Sequence, residues 1–278
     1  MKNLIVLILL TISIEGVGQE EIFTPKTNKG KIFVYWGWNR GYYSNSDIHF
    51  SGDGYDFVLE DVIANDRQTR FALDPYFHPE RITIPQTNFK AGYFFNEKYN
   101  ISFGVDHMKY VMPQGQEVTI NGDIDVKGSD YNKTYQAETI ELSSQFLKFE
   151  HTDGLNYVNV EINRFDNLIR LFDEKLPIDI NLTEGFGVGA LYPKTNARLM
   201  NFEQHDDYNV AGFGVNAKIG LDVTFFNHFF FRIEGKAGYI NMPNIRTTQL
   251  KTDKASQQFF FLQRNLLFGG VFRIGNKS

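Results

Sequence analysis

The chain contains no cysteine. That excludes structural disulfides and thiolate metal sites, and it removes the residue a lipoprotein anchor would acylate. No apolar run along the 278 residues approaches the roughly 20 positions that a spanning helix needs. Basic residues show no excess either, since 28 Lys and Arg stand against 33 Asp and Glu for a net charge of −5. A nucleic-acid partner is therefore not expected. A mean hydropathy of −0.32 is too polar for a helical membrane protein. It is compatible with a membrane barrel, which turns an apolar side chain outward only at every second residue.

The N-terminus carries an export signal. Lys2 supplies positive charge, Leu4 to Ile14 form a short apolar core, and Gly16-Val17-Gly18 offers small residues for cleavage before Gln19. Residues 1–18 are thus expected to be removed, leaving 19–30 as a polar periplasmic lead.

The clearest pattern lies between Asn209 and Tyr239. Ala211, Phe213, Val215, Ala217, Ile219, Leu221, Val223 and Phe225 alternate with Gly212, Gly214, Asn216, Lys218, Gly220, Asp222 and Thr224. This period of two outlasts the usual strand of about 5–6 residues. After a turn at Asn227-His228 it resumes with Phe229, Phe231, Ile233, Gly235, Ala237 and Tyr239, with Arg232, Glu234 and Lys236 on the other face. A membrane barrel needs strands of about 9–11 residues, apolar outward and polar inward. The expected fold is accordingly all-β, an antiparallel transmembrane up-and-down barrel over residues 31–275.

Further strands are predicted over 31–42, 82–95, 99–112, 138–150, 155–164, 178–190 and 257–275. The polar stretches 43–81, 113–137, 191–207 and 242–256 read as long extracellular loops, the first holding a short strand-like piece at 55–62. Short connections near Asn96-Lys98, Thr152-Gly154 and Asn227-His228 read as periplasmic turns. Only three strands separate the second from the third, where an even number is required. A hidden strand in Phe165–Lys175 restores the parity and makes ten strands, with eight and twelve the neighbouring solutions.

The export signal, the glycine-rich alternating strands and a final strand bearing Phe272 resemble the small outer-membrane β-barrel families of Gram-negative bacteria. The chain departs from them in ending on Gly275-Asn276-Lys277-Ser278 instead of an aromatic. The resemblance implies insertion by the barrel-assembly machinery and contact with outer-membrane lipid and lipopolysaccharide. It implies no catalytic motif.

Alternation turns several charges inward: Lys90, Asp106, Glu161, Asp179, Lys218, Asp222, Arg232, Glu234, Lys236 and Arg273. In a narrow barrel, opposite signs are expected to pair across the lumen and plug it, because an unpaired buried charge is costly. A polar conduit is the alternative. Trp36, Trp38, Tyr42 and Tyr43 at one end, with Phe225, Phe226 and Phe229 at the other, are expected to anchor the two membrane interfaces. His107 and Lys109 fall outward, high on their strand; Lys109 and Tyr110 read as interface anchors, with contact to lipopolysaccharide phosphates as the alternative. Glu184 also falls outward, where a carboxylate is costly, and a bulge at Gly185 is expected to turn it away.

Asp123-Ile124-Asp125 resembles the start of a calcium loop, but Lys127 and Thr134 break the pattern, so neither a metal nor a cofactor is expected. Ser44, Ser46, Asp47 and His49 lie near the outer rim. A lipid-modifying enzyme would require Ser44, Asp47 and His49 to converge, and no Gly-x-Ser-x-Gly elbow accompanies them. The role expected is that of an envelope protein, structural or binding a ligand or partner through its loops. A narrow pore for small solutes is the second possibility and the enzyme the third.

Overall fold

The computed structural model describes residues 27–273 except 79, 82–83 and 173–175. The expected export signal, most of the lead and the last five residues lie outside the described part.

Eight antiparallel strands close into a ring in chain order. They are β1 (Lys31–Tyr43), β4 (Thr87–Phe94), β5 (Tyr99–Val111), β8 (Leu147–Leu171), β9 (Ile178–Leu191), β12 (Gly212–Phe225), β13 (Phe229–Arg246) and β14 (Lys254–Arg273). Closure is between the first and last, with Lys31 opposite Arg273 and Tyr43 opposite Phe261. Three short connections and both ends of the described chain lie at the lower end of the ring. All the long connections rise from the upper end.

The ring corrects the expected ten strands to eight. Thr152–Gly154 is no turn, because β8 runs through it. Opposite, Met108 pairs with Leu155 and Tyr110 with His151, so three residues bulge against one. Gly154 takes φ +130° there, a conformation that costs glycine little. The predicted strand 155–164 and the hidden strand after it are the lower part of β8. The third turn is instead the connection from β8 to β9. The predicted strand 138–150 is split between the end of β7 (Lys133–Glu141) and the start of β8, and the strand predicted over 82–95 is seen from Thr87, with 82–83 outside the described residues.

The long connections hold most of a second layer. β2 (Ser46–Gly52), β3 (Tyr55–Val62), β6 (Glu117–Ile124) and β7 (Lys133–Glu141) extend the sheet from β14, in the order β14-β2-β3-β6-β7. β10 (Lys194–Leu199) pairs with β8 and with β11 (His205–Tyr208). These strands fold over the ring as a cap with an apolar core that includes Ile48, Phe50, Phe57, Leu59, Ile120, Phe146, Phe149 and Leu199.

Along a single strand, the inward face changes chemistry with height. On β13 it reads Phe230, Arg232, Glu234 and Lys236, then Ile240 and Met242, all buried. The ring interior is therefore aromatic at the lower mouth, charged in the middle and apolar where it meets the cap. The outward face is apolar and uncovered by protein, with Phe186 75% exposed and Ile233 58%. Large rings facing out around a charged interior invert the arrangement of a water-soluble sandwich.

β4 is shorter than its neighbours and leaves a notch between β1 and β5 above Thr87. A strap, made of the described residues between 65 and 86, fills it. Asn65 exchanges both backbone hydrogen bonds with Val111, the Gly41 amide donates to Asp66 Oδ2 at 2.9 Å, and the Asn39 amide donates to the Gln86 carbonyl at 3.2 Å. Lys109 Nζ donates to the Ile84 carbonyl at 2.8 Å.

Two histidines are buried under the cap, His151 at the top of ring strand β8 and His205 on β11, and among the described residues all four of their ring nitrogens lack a hydrogen-bond partner. Burial pushes His151 down to about 3, and burial with the nearby Arg246 charge lowers His205. An unfolded histidine titrates near 6.5, so below that pH the unfolded cap binds more protons than the folded one. Cap stability is thus full above about pH 6.5 and falls with acidification, by about 1.4 kcal/mol per pH unit for His151. Hydrogen exchange should show cap amides losing protection from pH 7 to pH 5 relative to ring amides, and His151→Phe should blunt the effect. Protection that holds across this range would contradict it.

Candidate functional site

Eight-stranded barrels enclose a space that side chains can fill. Here the filling is ionic. Glu161 sits at the centre, with Lys218 Nζ at 2.7 Å, Lys236 Nζ at 2.9 Å and Lys90 Nζ at 3.0 Å. Lys236 also reaches Asp106 at 2.6 Å, and Lys218 reaches Glu234 at 3.2 Å. Arg232 holds Asp222 at 2.6 Å and Glu234 at 3.5 Å. Four cations thus meet four anions, every one buried.

The strand pattern explains the convergence. Asp222 and Arg232, like Lys218 and Lys236, are cross-strand partners on β12 and β13. Glu161 comes from the opposite side of the sequence on β8, and a two-residue period makes all of them inward.

Neutral polar groups complete the layer. Lys90 donates to Asn159 Oδ1, and Asn159 Nδ2 donates to Asp106 Oδ2 at 3.1 Å. Thr183 Oγ1 donates to Asp222 at 2.7 Å, while Asn265 Nδ2 donates to Glu234 at 3.0 Å. Tyr35 lies under two cations, with the Arg232 guanidinium 5.3 Å and Lys218 Nζ 5.8 Å from its ring. Alternation places Tyr35, Asn159 and Thr183 on the polar face of their strands without marking them as lumen groups, and it does not single out Asn265. Their signal was the same inward parity, hidden because they carry no charge.

Nine of the ten predicted lumen positions lie buried inside the ring. Asp179 stands apart near the lower mouth, bonded to Arg170 at 2.7 Å. Arg273 does not join them, because it is exposed at the rim and donates to the Thr27 carbonyl.

Below the charges, Phe33, Tyr35, Phe94 and Phe230 pack with Phe165, and the rings of Phe33 and Phe94 meet edge-on at 5.5 Å. A cavity of about 570 Å³ opens at this lower mouth, between the aromatics and the Arg170–Asp179 pair. Asp222 and Arg232 also line it.

The anchor positions divide. Trp36 and Trp38 face outward, their rings 4.9 Å apart and both against Phe268. Tyr42 is outward and exposed. Tyr43 corrects the expectation: its parity is inward, its hydroxyl donates to the Lys109 carbonyl, and its ring packs on Tyr110 and Phe259. Phe225, Phe226 and Phe229 cluster at the lower turn, Phe226 and Phe229 exposed and Phe225 half-buried.

Glu184 is not turned away. Register runs unbroken through Gly185 on both sides, and Glu184 faces Arg164 directly across the ladder. A cross-strand cation replaces the expected bulge as the local solution. His107 is outward and bonded to Asn156 at 2.8 Å, whereas Lys109 is covered by the strap.

The upper-rim residues form no catalytic arrangement. His49 pairs with Asp56 at 2.7 Å instead of Asp47, whose Oδ1 accepts from the Asp61 amide. Ser44 Oγ accepts from the Phe260 amide, and Ser46 Oγ accepts from Gln257. The supposed calcium segment lies on the β6–β7 ladder, where Thr134 donates to Asp123.

Glu161→Gln should lower unfolding stability by about 3–5 kcal/mol, because three lysines lose their shared anion. Glu184→Gln on the outer wall should change it by less than about 1 kcal/mol. Urea titration of the heat-modifiable gel band measures both. Equal effects would show that the central carboxylate is not the keystone of the layer.

No protein-family model and no curated protein matches the chain. Among solved structures it is similar to the outer membrane protein AlkL in lipid bilayers, with 10% identity over 95% of this chain and 100% of that one, at a TM-score of 0.41. It is also similar to the outer membrane protein OprG of Pseudomonas aeruginosa, with 12% identity over 89% and 98% and a TM-score of 0.35. A third is the attachment invasion locus protein Ail of Yersinia pestis, with 12% identity over 88% and 99% and a TM-score of 0.28. The chain is thus similar to small outer-membrane β-barrel proteins.

Proposed function

We propose that the protein is a closed outer-membrane barrel that presents its folded cap to a ligand or partner outside the cell. The lower end, with the short turns and chain ends, faces the periplasm in this reading, and the cap faces outward. The observation that carries it is the neutral ionic layer, buried between the aromatic mouth below and the apolar cap core above. A solute would have to break this layer, exposing charges whose partners are all inside it. Insertion by the barrel-assembly machinery and a surround of lipid and lipopolysaccharide belong to the same proposal.

The cap supports a binding role because it is more than loop. It has its own core, and among the described residues its outermost strand β7 pairs only with β6, leaving one edge open.

The competing reading is a narrow pore, and one observation favours it. Among the described residues, Gln263 is fully buried with neither end of its amide partnered, and Asn39, Asn88 and Asn265 each leave one atom unpartnered nearby on β1, β4 and β14. Such groups call for internal water.

Fractionation and a gel comparing boiled with unboiled sample test the placement, and a folded barrel in the outer-membrane fraction should shift on boiling. Planar-bilayer recording then separates the two functions. The native protein should give no steady conductance, and the triple substitution E161A/K218A/K236A should open one. Conductance in the native protein would overturn the closed reading in favour of the pore.

A further inference from the structure

The upper part of the outer wall carries a feature that neither a plugged lumen nor a partner-binding cap uses. Arg40 and Arg264 stand directly opposite each other on β1 and β14, both outward and exposed. Like charges directly across an antiparallel ladder repel. Among the described residues, neither guanidinium forms an ion pair with a carboxylate. Arg40 donates to Gln68 Oε1 and Arg264 donates to the Tyr42 hydroxyl, both neutral acceptors. Arg264 also lies 4.9 Å over the Tyr42 ring. Asp66 is close enough to feel the Arg40 charge, but its Oδ2 accepts from the Gly41 amide.

The surroundings are apolar. Arg264 is flanked on its own strand by outward Leu262 and Leu266, and the Trp36–Trp38–Phe268 cluster lies just below. A cation on the lipid face of a barrel is costly, least so near the interface. Two facing cations there are stabilised by an anion that bridges them.

The strap beside this pair is the second half of the surface. It lies on the outward side of β1, where Tyr76 and Phe77 place their rings 5.6 and 5.5 Å from Trp38. The sequence expectation for 43–81 was a polar loop. Instead Phe71, Leu73 and Phe77 are 64%, 77% and 55% exposed among the described residues. Irregular backbone is not stable in the hydrocarbon region but is at home at the interface, with apolar side chains pointing into the acyl boundary.

We propose that the Arg40–Arg264 pair and the apolar strap together form a docking surface for phosphate-bearing lipid of the outer leaflet. The two guanidiniums take the headgroup phosphate, for which their forked donors are suited. Phe71, Leu73 and Phe77 lie against the acyl chains. The two guanidiniums facing each other across the ladder supply the charge that matches the anion, and the exposed Asp74 carboxylate of the strap is taken up by Arg81 at 2.8 Å. The proposal rests on the barrel standing in the outer membrane, which the gel shift and fractionation report separately.

The chain's only two tryptophans, Trp36 and Trp38, lie beside the site and act as its reporters. The full-length protein is reconstituted into phosphatidylcholine vesicles that carry the same fraction of brominated phosphatidic acid or brominated phosphatidylcholine. Tryptophan quenching should favour the brominated phosphatidic acid by about twofold or more, because basic side chains at a membrane surface attract anionic lipid. In R40Q/R264Q the preference should vanish while the heat shift on the gel persists. Equal quenching by both lipids in the native protein, or a preference that survives in R40Q/R264Q, overturns the proposal. Because the chain lacks cysteine, a nitroxide at L73C reports on the strap alone. Accessibility to oxygen above that to a water-soluble relaxant places it in lipid, and the reverse order overturns that half of the surface.

Discussion

One carboxylate surrounded by three lysines governs this molecule. A ring of eight strands is too narrow for a bulk-water lumen and too polar inside to pack as a hydrophobic core. Its inward charges must therefore neutralise one another at contact distance. Glu161 does this for Lys90, Lys218 and Lys236, while Asp106, Asp222 and Glu234 take the remaining valences with Arg232. Every strand that supplies one of these groups is held in register by the others, since a slip of one residue would turn a buried ion toward the outer wall.

The ionic layer also explains the layers on either side of it. Ion pairs are strongest where water is excluded, and apolar side chains flank the layer on both sides, narrowing the lower mouth and sealing the upper end. Below, Phe33, Phe94, Phe165 and Phe230 narrow the mouth. Above, the same inward parity switches to Ile240, Met242, Phe259 and Phe261 and merges with the cap. The cap is in this sense an extension of the barrel lumen, built on strands that outrun the outer wall.

The outer wall follows the complementary rule. Where a charge appears there, it lies near an interface or opposite a cation. Glu184 faces Arg164 near the lower edge, and the arginine pair marks the upper one. The short β4 makes the wall incomplete, and the strap repairs it with backbone hydrogen bonds to β1 and β5. A repair made of loop brings apolar side chains to a place that regular strands would not reach.

Much of this was legible in the sequence. Period-two alternation depends only on the geometry of an extended chain, so it assigned the faces of β12 and β13, the inward charges and the all-β class from local spacing alone. Strand number was not local. Asp153-Gly154 has the composition of a hairpin turn, yet the same residues serve as a bulge once β5 runs alongside, and only the partner strand decides between them. The cap was hidden for a related reason, because β2, β3, β6 and β10 are short and polar on one face and gain stability only by covering one another. Tyr43 shows the limit on a single side chain: its type suited an interface, but its parity and the space above the lumen drew it inward. The chain determined which residues face alike. Tertiary structure decided which of them meet, because pairing and closure join residues far apart in sequence.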